Sequence, residues 1–513
     1  MKLRSIGALT GGIALFGVGT PAAMADDLAS LLPRLLSSSV TMRSSSGAVP
    51  GNPHEAHFLP AAAQEAAPYA LNKAIVTQLS TFPLGSSSGG FTYQSDASGI
   101  PQRSSGNFGP AFTERALTIG KGKFSAGFNV QRVSFDRFEG NRLDSGDIRF
   151  SMQHNNCCPG QSVSTGAGGP APLQPTTDSV LWFEGDLVTV QLEELKIETT
   201  TTSLFADYGI TDRLDVGVVV PIVSVDLRAR MFARIDRVAT GDTNPQIHSF
   251  KDAAGNLLSE KRVVDQGSKT GLGDVLVRSK LGVVAAKGGG LAAGLELRLP
   301  TGDDKNLLGS GAFQAKASLI YSGEIGAFAP RASVGYTVSS GSLNSDVARF
   351  TLGENVEAPS AVPGVYNNFT PLADTATSVD LSVPDEVNYT AGFSVAVTPR
   401  LTLNFDVLGR SLRDQERFQD RDKAFPYRRR GVGNDSLGRA QGDPPNDQPP
   451  LTATRRVFDL TPERGNVNLL LAVGGFKLNI ARTLLLTGNV LVPITDSGLR
   501  AKVAPVIGLD YAF

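Results

Sequence analysis

Two cysteines, one tryptophan and four histidines are all that 513 residues contain of those types. Each scarcity excludes something. Two cysteines cannot frame a secreted chain of this length with disulfides. A Ser–His–acid centre needs an imidazole within hydrogen-bond reach of its nucleophile. His54, His57, His154 and His248 all fall outside segments with strand patterning, so an enzyme is not expected. Past the first 25 positions no apolar run reaches the roughly 18 residues of a transmembrane helix. Charge is nearly balanced, 48 basic against 49 acidic residues. Such a balance gives no reason to expect nucleic acid as a partner. No cofactor is implied by any motif.

What is present begins with "MKLR", a short basic leader, followed by the apolar "GALTGGIALFGVG" and by "AMA" ahead of Asp26. This reads as a secretory signal peptide over residues 1–25, which places the mature chain outside the cytoplasm. From about Phe112 onward, segments of ten to twenty residues alternate apolar and polar side chains, as in "KFSAGFNVQRVSF", "LAAGLELRL" and "LTLNFDVL". Alternation of period two over such lengths is the strand signature, and it outlasts the five or six residues usual in soluble sheets. The chain ends on the same pattern, "KVAPVIGLDYAF".

The connections alternate as well. Short ones lie at 120–122, 209–212, 286–290, 322–326, 398–400 and 479–482, and long ones at about 136–186, 231–270, 341–386 and 413–466. Long half-greasy strands joined alternately by tight turns and long loops define a transmembrane barrel of the bacterial outer membrane. The expected fold is therefore all-β, an antiparallel transmembrane β-barrel of about 14 strands. The count is thirteen strands from Phe112, plus "GFTYQSD" (90–96) as the first upward one. Residues 26–89 do not alternate; "DDLASLLPRLL" and "EAAPYALNKAIVTQLS" read as short amphipathic helices. They form either a plug folded into the barrel or a periplasmic extension. The organisation expected is signal peptide 1–25, plug or extension 26–89, and barrel 90–513.

Closing the sheet satisfies backbone groups where no water can, and leaves one face for lipid and one for the lumen. Taking charge as the inward marker assigns Asp226, Arg228, Arg230, Asp274, Arg278, Lys280, Glu296, Arg298, Lys316, Arg331, Asp406 and Arg410 to the lumen. On strand 214–230 this puts Val219, Val223, Val225 and Leu227 against lipid. The inward charges either pair and fill the interior or line a polar conduit.

The stretches "YGITDRLDVGVVVP" (208–221), "GLGD" (271–274) and "LRLPTGDDKNLLGSG" (297–311) resemble outer-membrane transporters labelled as the meta-pathway of phenol degradation family. That family is distantly similar to long-chain fatty-acid and aromatic-hydrocarbon transporters of fourteen strands with an N-terminal hatch. The resemblance implies passage of hydrophobic or aromatic small molecules. The Asn-Pro-Ala hatch motif of the fatty-acid group is absent, "GNPHEA" (51–56) being the nearest stretch.

Three further features carry chemistry. Cys157 and Cys158 in "HNNCCPG" are adjacent thiols in an oxidising compartment, open to a disulfide. Asp274, Asp303 and Asp304 meet at one rim when the hairpin between them folds, either as a calcium site or as ordinary glycine–aspartate turns. Tyr511 and Phe513 end the last strand and, by resemblance to other outer-membrane barrels, act as the tag read by the barrel-assembly machinery. The expected partners are outer-membrane lipid, lipopolysaccharide, that machinery and a small-molecule solute, with the protein a monomer. The function expected is passive uptake of small hydrophobic or aromatic molecules through an outer-membrane channel. The alternative is a structural or surface-binding barrel with a closed lumen and working extracellular loops.

Overall fold

Twelve strands, each hydrogen-bonded antiparallel to the next in sequence, close on themselves in a computed structural model of the chain. The structure describes residues 27–40, 67–95, 101–153, 162–164, 170–172, 186–238, 248–344, 381–428 and 451–512, apart from positions 82, 84, 86–89, 104, 111, 253, 255, 287–288 and 482. The wall strands are β1 (Phe124–Phe138), β2 (Leu187–Gly209), β3 (Leu214–Asp236), β4 (Val275–Ala286), β5 (Gly289–Leu299) and β6 (Phe313–Ser322). They continue as β7 (Phe328–Ser340), β8 (Glu386–Thr398), β9 (Leu401–Arg428), β10 (Leu451–Ala481), β11 (Leu484–Pro493) and β12 (Ala504–Ala512). β12 pairs with β1 from Val506↔Gln131 to Ala512↔Ser125, which completes the circuit. Among the described residues no helix is long and apolar enough to cross a membrane.

The strand count corrects the expectation of about 14. Tyr93–Ser95 pairs only with Pro101–Arg103, as a separate two-stranded ribbon. Residues 112–119 form no strand, so the wall begins at Phe124 and not at residue 90. The reason is chemical: residues 105–110 and 112–120 spend backbone and side-chain groups on the inside of the wall instead of forming part of it.

Five of the six tight turns expected from the sequence join wall strands at one end of the barrel, and the sixth, at 120–122, leads into β1 from a segment that is not a strand. In the β4–β5 turn, Gly290 sits at φ +138° and an added Cβ would strike the Val284 carbonyl, so glycine is required there. At the other end the strands run on well past the length needed to cross. The stretch 413–466, expected to be a loop, continues β9 to Arg428 and resumes as β10 at Leu451. Its charges pair across the hairpin, with Arg421–Glu463 at 3.0 Å, Arg456–Asp422 at 2.7 Å and Arg464–Asp414 at 3.2 Å. A further strand, Glu260–Leu272, pairs with β3 above β4 and carries the same extension.

Inside the wall, among the described residues, lie two short helices, α1 (Leu31–Val40) and α2 (Ala67–Ser80). α1 follows a 3-10 turn, Leu28–Ser30, and its leucines repeat at helical spacing. Leu28, Leu31, Leu32, Leu35 and Leu36 are buried against Val190, Leu192, Val225, Leu227 and Met231 of the wall. The Arg34 guanidinium reaches Asp265 on the extension strand at 3.0 Å, and Asn72 Nδ2 donates to the Ala29 carbonyl at 2.9 Å, tying the helices together.

Candidate functional site

The wall changes character at one level. Outward positions of β1, β2 and β3 are Phe128 and Val130, Leu204 and Thr202, and Val218 and Ile222 in the lower half. Arg132, Thr200 and Ser224 come next, then Lys196, Asp226 and Arg228, all outward. The pairs Val130↔Thr202↔Ile222 and Arg132↔Thr200↔Ser224 lie side by side, so the switch from apolar to polar occurs at the same height on three strands. Inward residues switch the opposite way. Asp207, Asp215, Ser203 and Gln131 lie below, and Val133, Phe135, Ile197, Val225, Leu227 and Ala229 above, all buried.

Three assignments made from charge are thereby overturned. Asp226, Arg228 and Arg230 are on the outer face, and Val219, Val225 and Leu227 are the buried ones. The physical reason is that β3 leaves the hydrocarbon near Ile222. Above that level water wets the outside and the leucines of α1 fill the inside. Arg230 pairs along the outer face with Glu194 at 3.2 Å.

In the lower half the remaining candidates do face inward, and they interlock. Arg278 Nε donates to Glu296 at 2.6 Å, and Lys316 Nζ reaches the other oxygen of the same carboxylate at 2.9 Å. Arg410 makes a forked pair with Glu386 at 2.5 and 3.0 Å. Lys280 lies 3.7 Å from Asp215, and Arg331 lies 2.5 Å from Asp406. Glu386, Asp207, Asp215 and Thr113 were not singled out by sequence. Asp215 carried a usable signal: it stands eleven positions before Asp226 on one strand, an odd offset, so the two cannot share a face.

Asp274 is also buried, but its carboxylate is committed to the β5–β6 connection. It accepts from Gly302 N–H at 3.1 Å, from Ser310 N–H at 2.8 Å and from the Ser310 hydroxyl at 2.8 Å. Asp303 accepts from Asn306 at 2.7 Å. These bonds fold the β5–β6 connection over the wall and put Leu307 and Leu308 into the core. They are turn chemistry; among the described residues no group of three His, Cys, Asp or Glu is placed to hold a metal ion. Cys157, Cys158 and Phe513 lie outside the described residues, and Tyr511 is exposed on the outer face of β12, opposite Leu484 and Ala126.

The lumen is filled from both ends. From above come α1 and α2. The C-terminus of α2 is held by two arginines from different parts of the wall: Arg298 donates to the Ser80 carbonyl at 3.0 Å and Arg410 to the Thr81 hydroxyl at 2.8 Å. Cations at that end satisfy open carbonyls and oppose the helix dipole. From below comes the extended segment 105–120. Thr113 bonds both Arg331 and Asp406, Ala116 N–H donates to Ser322 at 3.0 Å, and Ile119 N–H donates to Asp215 at 2.9 Å. Between the two fillings a cavity of about 150 Å³ remains, lined by Arg278, Glu296, Arg298, Lys316, Glu386 and Arg410 among others.

Residues 188–417 match the family model described as "Putative MetA-pathway of phenol degradation". The family resemblance holds over that stretch. All three motifs that carried it, at 208–221, 271–274 and 297–311, lie inside the match. No curated protein matches the sequence. Among solved structures, an outer membrane channel from Pseudomonas putida F1 is similar at 10% identity over 78% of this chain and 98% of that one, with a TM-score of 0.35. A FadL homologue from Pseudomonas aeruginosa is similar at 10% identity over 76% and 90%, TM-score 0.27. The toluene transporter TbuX of Ralstonia pickettii is similar at 12% identity over 77% and 90%, TM-score 0.22. At identities and scores this low none of them bears on what this barrel does.

Proposed function

We propose that the protein is a passive outer-membrane channel for small hydrophobic or aromatic molecules, with residues 27–40 and 67–81 as its plug. The observation that carries the reading is the closed twelve-strand wall whose lower outer face is apolar and whose lower inner face is polar. An edgeless sheet with that polarity is stable only where hydrocarbon surrounds it and water or polar side chains fill it. Tight turns at one end and long extensions at the other agree with the orientation of outer-membrane barrels. The family match, through its link to phenol degradation, supports an aromatic solute. Outer-membrane lipid, the assembly machinery and the solute are the partners of this reading. Lipopolysaccharide gains less support, because the outer charges of the upper wall pair with one another, as Arg132–Glu198 and Arg262–Glu193 do at 3.3 and 3.0 Å.

A second reading, a closed structural or surface-binding barrel, is favoured by one fact: both ends of the lumen are occupied. Solute flux separates the two. Purified protein in liposomes should pass small solutes at a low rate, and deletion of residues 27–89 should raise it several-fold. Flux at the level of empty liposomes for both proteins, with the deletion variant folded, would establish the closed barrel instead.

A further inference from the structure

The 150 Å³ cavity does not stand alone. A second space of about 50 Å³ adjoins it, and Pro83, Leu408 and Arg410 line both. The two differ in chemistry. The smaller is walled by Phe135, Leu469, Leu471, Leu491 and Leu499, with Arg410 at the border. The larger presents four cations, Arg278, Arg298, Lys316 and Arg410, against three carboxylates, Glu114, Glu296 and Glu386. Glu296 is shared by Arg278 and Lys316, and Glu386 is taken by Arg410. Arg298 has no carboxylate within ion-pair distance among the described residues; its hydrogen bond goes to a backbone carbonyl, that of Ser80. A neutral carbonyl is a weaker partner for a guanidinium than a carboxylate, which brings the opposite charge and can accept two parallel N–H bonds. The lining of this cavity thus carries four cations against three carboxylates, next to an apolar niche, and Arg298 also lines a neighbouring space with Asp274, which makes no ion pair with it.

The geometry points to a binding site for a small amphipathic anion, an aromatic monocarboxylate in class, its ring in the leucine niche and its carboxylate on Arg298. The proposal rests on the channel reading for how the ligand arrives, and refines it: the preferred solute carries a charge at one end. Binding replaces the Ser80 carbonyl on Arg298 by the carboxylate, so Arg298 exchanges one acceptor for a stronger one and loses none. Arg410 stays on Glu386 and marks the boundary between the two spaces.

Equilibrium binding to the full chain in lipid nanodiscs tests this, with benzoate, benzamide and acetate as probes. Benzamide keeps the ring and loses the charge; acetate keeps the charge and loses the ring. Benzoate should bind at least about tenfold more tightly than either, since both halves of the site are then used. Arg298→Gln should bring benzoate down to the level of benzamide without altering benzamide, and Arg298→Lys should restore most of the difference. Equal binding of benzoate and benzamide by the wild type, no binding of any probe, or an unchanged benzoate affinity in a folded Arg298→Gln protein would each overturn the site. If the glutamine variant does not fold, the wild-type probe series decides alone. Binding without flux in liposomes would remove the channel and leave the site; flux indifferent to charge would do the reverse.

Discussion

Below the level of Thr200 and Ser224 the wall is greasy outside and polar inside; above it the same strands are charged outside and apolar inside. One continuous strand, β3, serves both regions without changing which parity points inward. Asp215 and Leu227 are therefore on the same face, one in a polar interior and one in a leucine core. The difference teaches that a barrel strand's pattern is read against two solvents. Lipid rewards one arrangement for the length of the hydrocarbon, and water rewards its inverse beyond it. The four threonines 199–202 of β2 sit at the changeover, where a side chain with both a methyl and a hydroxyl suits either side.

The two interiors should fail differently when broken. The largest effect is expected below. Arg331 and Asp406 are buried to 2% and 0% side-chain exposure. Asp406→Leu strands a buried guanidinium and should cost about 3–5 kcal/mol, much of it recovered in the double variant Arg331→Leu/Asp406→Leu. Equilibrium unfolding from lipid vesicles in denaturant measures both. A double variant no better than the single one would show that the pair is not the unit that matters. Next comes the upper interior. Leu227→Ala removes a leucine from the contact with α1 and should cost about 2–5 kcal/mol, with no partner substitution that rescues it. The smallest contrast concerns the two outer faces: Val218→Arg, in hydrocarbon, should cost about 2–4 kcal/mol. Arg228→Ala, above it, should stay within about 0.5 kcal/mol. Similar costs for those two substitutions would mean that the boundary has been drawn at the wrong height.

Much of the wall was legible in the sequence because period-two alternation and turn spacing are local signals. β5, β6, β7 and β8 keep the alternation, with Glu296, Lys316 and Arg331 on the less exposed face and Leu295, Phe313, Leu319, Tyr336 and Phe393 on the exposed one. Phe328, Phe393 and Phe405 even stack as an outward aromatic row, with ring centroids 5.2 and 5.4 Å apart. The misreading of Asp226, Arg228 and Arg230 has a specific source. Residues 216–223 of β3 are apolar at both parities, "VGVVVPIV", so the charges beyond them decided the facing, and those charges stand in water on the outside. The count of about 14 strands failed for a different reason. Residues 90–95 and 112–119 have strand-like composition, and only long-range partners, such as Thr113 with Asp406, reveal a segment enclosed by the wall instead of forming part of it. The pairing of Arg410 with Glu386 and Thr81 joins residues 24 and 329 positions apart, and no local pattern announces it.

Single cysteines placed one at a time along β3 from 216 to 230, in a chain with Cys157 and Cys158 replaced by serine, probe the wall most directly. In vesicles, a membrane-impermeant maleimide should leave Val216, Val218, Val220 and Ile222 positions unlabelled, label 224, 226, 228 and 230, and spare 225, 227 and 229. Labelling at 225 and 227 with protection at 226 and 228 would put the charges inside after all and contradict the inversion of polarity on which this account stands.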